Sequence, residues 1–175
     1  MDHPKTTSRR ILVMGVSGSG KSHIGRLLAE RLGVEFIDGD DHHPQANIDK
    51  MARGIPLNDD DRQGWLDTLA GLIADYHRRD ASLVIGCSAL KRRYRDQLRS
   101  GDPALAILFL EGSREQLLER LTSREGHFFT GEAMLESQLA DLEPPGSDEA
   151  ITLNIGDSPE SLAAAFIASL DSTYC

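Results

Sequence analysis

The chain has 175 residues, of which 39% are hydrophobic and 27% charged, and a formal net charge of −9 at pH 7. This length predicts one domain over residues 1–175 with a sizeable core. The acidic balance argues against nucleic acid as the main partner, because phosphate backbones are bound by basic surfaces. No apolar run is long enough to predict a membrane span.

Strand-like and helix-like segments alternate along the chain. Short apolar runs rich in Val, Ile, Leu and Phe predict strands at 10–14, 34–38, 82–86, 105–110 and 150–154. Amphipathic patterns predict helices at 21–32, 44–52, 60–78, 90–99, 113–122, 131–142 and 159–170. The pairs Ser113 with Gln116 and Ser158 with Pro159 are typical of helix starts. We therefore expect an α/β fold with a five-stranded parallel sheet, helices on both faces and ligands at the carboxyl ends of the strands.

The segment before the first strand and the two cysteines indicate the compartment. Residues 1–8 are polar, and the following apolar run is too short for the core of a signal peptide, so we expect a flexible tail and no export. Cys87 and Cys175 are far apart, and a disulfide framework is not expected. Both features favour a cytoplasmic protein.

A phosphate-binding loop follows the first predicted strand. The pattern G-x-x-x-x-G-K-[ST] is matched by Gly15, Val16, Ser17, Gly18, Ser19, Gly20, Lys21 and Ser22. Glycines let backbone N–H groups converge on a phosphate, and the next helix directs its positive dipole end to the same place. Lys21 adds a charge for the β and γ phosphates, and Ser22 offers a hydroxyl to Mg²⁺. The predicted cofactors are therefore ATP and Mg²⁺.

Two aspartates follow the second predicted strand. Beside a triphosphate, Asp38 could organise Mg²⁺ and its waters, directly or through water, and Asp40 could accept a proton from a substrate hydroxyl. The alternative is a polar turn in which an aspartate caps the next helix. The adjacent His42 and His43 have no Cys or Glu at zinc-ligand spacing, so they are interpreted as polar loop residues or supporting contacts.

Basic residues follow the third predicted strand. Lys91, Arg95 and Arg99 are four residues apart and share one helical face. For Arg95 and Arg99 the pattern favours a solvated face. Lys91 lies near the first turn, where a cation opposes the helix dipole, and this suggests an anionic partner. Cys87, in the same segment, is interpreted as a small buried residue rather than a nucleophile.

A candidate lid lies at about residues 122–142. Arg120 and Arg124 precede a glycine-bounded loop that contains His127. A mobile lid over ATP needs cations that neutralise the transferring phosphoryl group, and its closure excludes water. The alternative is a surface helix end with ordinary arginines.

Four segments together resemble the bacterial and eukaryotic gluconokinases of the P-loop type. They read GVSGSGKS, DGDDHHPQANIDKMARGIPLNDDDRQGWL, CSALKRRYRDQLR and REGHFF, and the resemblance extends from about residue 11 to 149. It implies a fold like that of shikimate kinase and the nucleoside monophosphate kinases. It also implies ATP-dependent phosphorylation of D-gluconate at the 6-hydroxyl, a cytosolic location and a homodimer.

The resemblance also assigns individual residues. Arg62 is implied as a binder of the substrate carboxylate, although a salt bridge with Asp59, Asp60 or Asp61 remains an alternative. The other implied site residues are Asp38, Asp40, Lys91, Arg120, Arg124 and His127. Gly64 departs from the pattern, since many members have proline there. Other acceptors, such as shikimate, a related sugar acid or a nucleotide, stay open, whereas a GTPase switch would carry an N-K-x-D motif that the chain lacks.

Overall fold

Five strands form one parallel sheet in the order β2-β3-β1-β4-β5. The computed structural model describes residues 8–122 and 128–172, with side chains except at 122, 128–131, 171 and 172. The strands are β1 (Arg10–Met14), β2 (Glu35–Asp38), β3 (Leu83–Gly86), β4 (Ala106–Glu111) and β5 (Ile151–Asn154). The predicted parallel sheet is confirmed, and each strand starts within one residue of its predicted start.

Seven helices connect and cover the strands in the described part of the chain. They are α1 (Lys21–Leu32), α2 (Gln45–Ala52), α3 (Asp59–Arg78), α4 (Arg92–Arg99), α5 (Arg114–Thr122), α6 (Phe128–Asp141) and α7 (Pro159–Ser172). All seven were predicted. A short 3-10 helix at Gly39–His42 was not. None of the helices in the described ranges is long and apolar enough to cross a membrane.

The two faces of the sheet build two cores. Along β1, Ile11 and Val13 point into a cluster with α1, α5 and α7. Leu12 and Met14 point into a cluster with α3 and α4 on the other face. Alternate side chains of a strand point to opposite faces, so a strand that is apolar throughout serves both cores. This gives the three-layer arrangement predicted from the sequence.

Helix starts agree with the predicted capping pairs. The Gln116 amide donates to Ser113 Oγ at 3.1 Å, and the Ser113 amide donates to Gln116 Oε1 at 2.9 Å. The Ser161 amide donates to Ser158 Oγ at 3.1 Å, one turn into α7. A second capping box, Asn58 with Asp61, opens α3 and was not predicted from the sequence. These caps fix where the helices leave the sheet.

The prediction of a solvated face for Arg95 is wrong. Its side chain is 1% exposed, and its Nε lies 2.7 Å from Glu149 Oε1. The guanidinium also donates to the carbonyls of Ala89 and Leu90. Arg99 shares the same partner, with Nη1 2.9 Å from Glu149 Oε1, and is 21% exposed. Glu149 precedes β5 and covers α4, and the spacing of the arginines alone cannot reveal that cover.

Candidate active site

A cavity of about 510 Å³ lies at the phosphate loop. The residues that line it include Lys21 from the loop, Asp40 from the 3-10 helix, Arg62 from α3 and Gln138 from α6. Parallel strands end at one edge of the sheet, so segments that are distant in sequence meet there. The predicted loop, acid and carboxylate binder are therefore brought to one place.

The phosphate loop has a backbone that requires glycine. Gly18 and Gly20 have φ angles of 86° and 90°. A Cβ at Gly18 would lie 3.2 Å from the carbonyl oxygen of Leu117. Helix α1 begins at Lys21, directly after the loop, and so presents its free N–H groups there. Lys21 lines the cavity and forms no ion pair with any residue that the structure describes, so its charge is available to a bound anion.

Asp38 joins the end of β2 to the phosphate loop. Its Oδ2 accepts a hydrogen bond from Ser22 Oγ at 2.9 Å, and its Oδ1 accepts one from the Asp40 amide at 3.0 Å. The alternative of a turn in which an aspartate caps the next helix is confirmed, since Asp38 caps the 3-10 helix. Asp38 also contacts the phosphate loop, and its role with Mg²⁺ stays a prediction. A hydroxyl and a carboxylate are hard oxygen donors of the kind Mg²⁺ takes, usually with waters and substrate phosphates completing its shell. The pair fits that ion.

Asp40 and His43 face each other at the cavity. The Asp40 side chain is 61% exposed, and its Oδ1 lies 3.7 Å from His43 Nε2. His43 is stacked on Trp65, with ring centroids 3.9 Å apart, and Trp65 Nε1 donates to the carbonyl of Gly39 at 2.7 Å. Burial lowers the pKa of His43; the charge of Asp40 opposes this and that of Arg62 adds to it. His43 is therefore neutral at neutral pH.

Arg62 is buried beside the cavity. Its Nη1 donates to Tyr94 Oη at 3.1 Å and to Asp141 Oδ2 on α6 at 3.3 Å. Among the acids that the structure describes, its ion-pair partner is thus Asp141, and the alternative of a salt bridge within 59–61 is wrong. Within the acidic run at 59–61, Asp61 instead caps α3 and pairs with Lys50.

Lys91 reaches the site only indirectly. It is the residue that precedes α4, and its Nζ donates to Asp59 Oδ1 at 3.1 Å. The Tyr94 hydroxyl bonds to the same carboxylate and to Arg62, so Lys91 and Arg62 are linked through Asp59 and Tyr94. Of the described residues that line the cavity, Arg62 is one and Lys91 is not.

Arg120 holds the end of α5 against the phosphate loop. Its Nη1 donates to the carbonyl of Ser19 at 3.3 Å, and its Nη2 donates to the carbonyl of Ile155. This places a cation beside Gly20. The other two predicted lid residues, Arg124 and His127, lie outside the described residues.

Several side chains that line the cavity were not predicted to do so, among them Gln138, Trp65 and His43. Gln138 Oε1 accepts a hydrogen bond from the Ser17 amide at 2.6 Å. Trp65 was predicted as a helix residue within the second of the four resembling segments, without a role of its own, and His43 was interpreted as a loop residue or a supporting contact. The sequence signal for Gln138 was its place just beyond REGHFF in the resembling segment. The spacing of residues along the sequence does not predict the stack of His43 on Trp65.

Comparisons with known proteins show the family to which the chain belongs. A family model described as "AAA domain" matches residues 11–145. A probable gluconokinase from Schizosaccharomyces pombe is 46% identical over 157 residues, which are 85% of this chain and 81% of the relative. The chain belongs to the gluconokinase family.

Solved structures of other proteins share the fold of this chain. A gluconokinase from Sinorhizobium meliloti 1021 superposes with a TM-score of 0.86 at 42% identity, covering 96% of this chain and 97% of that one. A shikimate kinase from Bacteroides thetaiotaomicron superposes with a TM-score of 0.63 at 16% identity, covering 93% and 98% of the two chains. The second likeness concerns the fold alone, and it confirms the expectation of a fold like that of shikimate kinase.

Proposed function

We propose that the chain transfers the γ-phosphoryl group of ATP to the 6-hydroxyl of D-gluconate, giving 6-phospho-D-gluconate and ADP. The observation that carries the proposal is one cavity lined by a phosphate loop, a carboxylate at Asp40 and a buried cation at Arg62, in a member of the gluconokinase family. The acceptor itself comes from the family. A sugar acid fits the cavity because Arg62 offers a cation to its carboxylate and Asp40 a carboxylate to its hydroxyl.

The phosphate loop binds the triphosphate. Backbone N–H groups at the start of α1 and the ammonium of Lys21 are positioned for the β and γ phosphates. Mg²⁺, when held by Ser22 and Asp38, would neutralise charge on the phosphate oxygens. Arg120 adds a cation beside the loop, where charge spreads over the transferring group.

Asp40 acts on the acceptor. The 6-oxygen of gluconate forms a bond to the γ-phosphorus while the bond from that phosphorus to the bridging oxygen breaks, and ADP leaves. The proton of the hydroxyl passes to the Asp40 carboxylate. An exposed carboxylate that lines the cavity suits this role because it can approach the bound hydroxyl.

Arg62 binds the carboxylate of gluconate, and Lys91 supports Arg62. A guanidinium offers a planar fork to a carboxylate, which favours Arg62 for the direct contact. Its pair with Asp141 on α6 implies that the substrate carboxylate competes with Asp141, so that binding of the acid is coupled to the position of α6. Lys91 is linked to Arg62 through Asp59 and Tyr94 and holds it in place without contacting the substrate.

The remaining parts of the proposal concern the whole chain. A lid at about 122–142, with Arg124 and His127, closes over ATP and keeps water from acting as the acceptor. The chain is one domain over residues 1–175, works as a homodimer and is cytoplasmic. The tail predicted at 1–8 lies, but for Ser8, outside the described residues. These features stay predictions from the sequence.

A panel of acceptors tests the function. Purified protein, ATP and Mg²⁺ are incubated with gluconate, shikimate, related sugar acids and nucleoside monophosphates, and the release of ADP is measured. We expect gluconate to give a kcat/KM far above that of shikimate or any nucleotide, and Lys21→Ala to abolish turnover. Slow hydrolysis of ATP that no acceptor accelerates would contradict the proposal and favour a nucleotide switch.

A further inference from the structure

The side-chain amide of Asn47 determines which nitrogen of His43 carries the proton. Asn47 Nδ2 lies 2.8 Å from the carbonyl oxygen of Asp61, an atom that can only accept. The same nitrogen lies 3.2 Å from His43 Nδ1. An amide nitrogen has two hydrogens and no acceptor, so it donates to both. His43 Nδ1 is therefore the acceptor, and the single proton of the neutral ring is on Nε2.

The ring of His43 is also fixed in space. Its side chain is 3% exposed, and it is clamped between the stack on Trp65 and the hydrogen bond from Asn47, which is itself 2% exposed. Trp65 is tied in turn to the carbonyl of Gly39, the first residue of the 3-10 helix. His43, Trp65 and Asn47 thus form a rigid unit that presents one N–H group.

The group that this N–H faces is the least constrained part of the site. Asp40 is 61% exposed, and among the described residues the one side chain that its carboxylate meets is His43, at 3.7 Å. An exposed carboxylate samples several rotamers, and each wrong rotamer misdirects a proton-accepting oxygen. A small rotation of Asp40 shortens the distance to a hydrogen bond, and such contacts are often long before substrate binds.

We propose that His43 is a positioning residue that donates its Nε2–H to the Asp40 carboxylate and holds one oxygen toward the acceptor hydroxyl. The proposal rests on the proposed function, in which that carboxylate receives the hydroxyl proton. Asn47 sets the tautomer, Trp65 sets the plane of the ring, and the donor then selects the rotamer of Asp40. His43 itself needs no contact with the substrate.

Steady-state kinetics of three variants test the assignment. His43→Phe keeps a ring for the stack on Trp65 and removes the donor. His43→Gln loses the ring but keeps an N–H at a similar reach. His42→Phe, at the neighbouring position, is the matched control. We expect His43→Phe to lower kcat about tenfold or more with the KM for gluconate within about twofold of wild type, His43→Gln to recover part of kcat, and His42→Phe to behave as wild type.

A rise in the KM for gluconate at unchanged kcat would overturn the proposal, because it would mean that His43 binds the substrate directly. Equal kcat values for His43→Phe and the wild type would also overturn it. If the wild-type protein itself shows no gluconate-dependent release of ADP, the proposed function has failed, and this result is distinct from either outcome.

Nitrogen NMR of the histidine rings gives a readout that does not depend on activity or on the stability of a variant. The wild-type spectrum is expected to show His43 as a neutral ring with its proton on Nε2. Asp40→Asn serves for assignment, because it should shift the His43 Nε2 resonance more than those of His23 and His77. A His43 ring with its proton on Nδ1 would contradict the proposal.

Discussion

Gln138 Oε1 on α6 accepts a 2.6 Å hydrogen bond from the backbone amide of Ser17 in the phosphate loop. The two residues are 121 positions apart in the chain, and both line the cavity. Helix α6 falls within the predicted lid, and Asp141 on the same helix pairs with Arg62. Through these two contacts the helix is attached to both halves of the proposed site, the phosphate side and the carboxylate side.

We expect Gln138→Ala to loosen the attachment of α6 to the loop. The hydrogen bond is replaced by one to water, and a net loss of about 1 kcal/mol predicts faster amide exchange at Ser17, by about fivefold. Hydrogen–deuterium exchange of the peptide that contains residues 15–18 measures this. Gln63→Ala, on the exposed side of α3, is the control. Unchanged exchange at Ser17 would show that the contact does not hold the loop.

Asp40→Asn is expected to reduce turnover and to spare nucleotide binding. The amide keeps the size and the hydrogen-bonding reach of the carboxylate but cannot accept the hydroxyl proton, so kcat should fall about 100-fold or more. The dissociation constant of an ATP analogue should change little. Asp41→Asn, the exposed neighbour in the 3-10 helix, is the matched control. A near-normal kcat for Asp40→Asn would remove Asp40 from the mechanism.

The buried cluster at α4 predicts a large difference between two arginines. Arg95→Met leaves part of the buried Glu149 carboxylate and several carbonyls without their donor, so unfolding free energy should fall by about 3–5 kcal/mol. Arg99→Met removes a partly exposed partner and leaves Arg95 on Glu149, and about 1 kcal/mol is expected. Urea unfolding of both variants measures the difference. Equal losses would contradict the geometry of the cluster.

Two glycines in helices predict opposite effects of alanine. Gly64 is the sixth residue of α3, inside the helix rather than at its start, and a Cβ there would meet nothing within 4 Å. Gly64→Ala should stabilise the fold by about 0.5–1 kcal/mol. At Gly25 in α1 a Cβ would lie 2.4 Å from Phe36 Cε1, so Gly25→Ala should be destabilising by about 1–3 kcal/mol. Thermal melts of both variants test the signs.

Asp102 should account for part of the loss of folding stability at low pH. Burial raises the pKa of its carboxyl, but hydrogen bonds from Arg10 Nε at 2.7 Å and from the Ala104 amide at 2.9 Å outweigh burial and lower it below 3.8. A carboxyl whose pKa is lower in the folded state contributes stability above the unfolded value, and loses it as the pH falls below that value. Asp102→Asn should therefore cost stability at pH 7.

The difference between wild type and Asp102→Asn should shrink when unfolding is repeated at about pH 3, because the unfolded wild-type chain then takes up a proton on Asp102 more readily than the folded protein does. The variant should show the flatter loss of stability with acid. Parallel curves for the two proteins between these pH values would show that the Arg10–Asp102 pair does not titrate as described.

Local patterns were enough to predict the elements and the phosphate loop. The strands are continuous apolar runs, the loop has a fixed glycine and lysine spacing, and the pairs at Ser113 and Ser158 are local signals. The proximity of Asp38 to the phosphate loop followed from one topological rule, that parallel strands end at the same edge, whereas the hydrogen bond from Ser22 itself was not predicted.

Side-chain partners that come from distant segments could not be predicted. Arg95 looked solvated because Glu149, which covers it, lies 54 positions away. Arg62 was weighed against the acids beside it in sequence, whereas its partner Asp141 lies 79 positions on. The tautomer of His43 depends on the carbonyl of Asp61, which only the fold brings to Asn47. Such contacts depend on tertiary packing, which periodicity does not encode.

In the proposed reaction, this site transfers the terminal phosphoryl group of ATP to one hydroxyl of gluconate. The most direct measurement is phosphorus and carbon NMR of the product formed by the wild-type protein from ATP, Mg²⁺ and D-gluconate. We expect one new phosphate ester whose phosphorus couples to carbon 6, formed in step with ADP. Inorganic phosphate as the only new phosphorus species beside ADP, or an ester at another carbon, would contradict it.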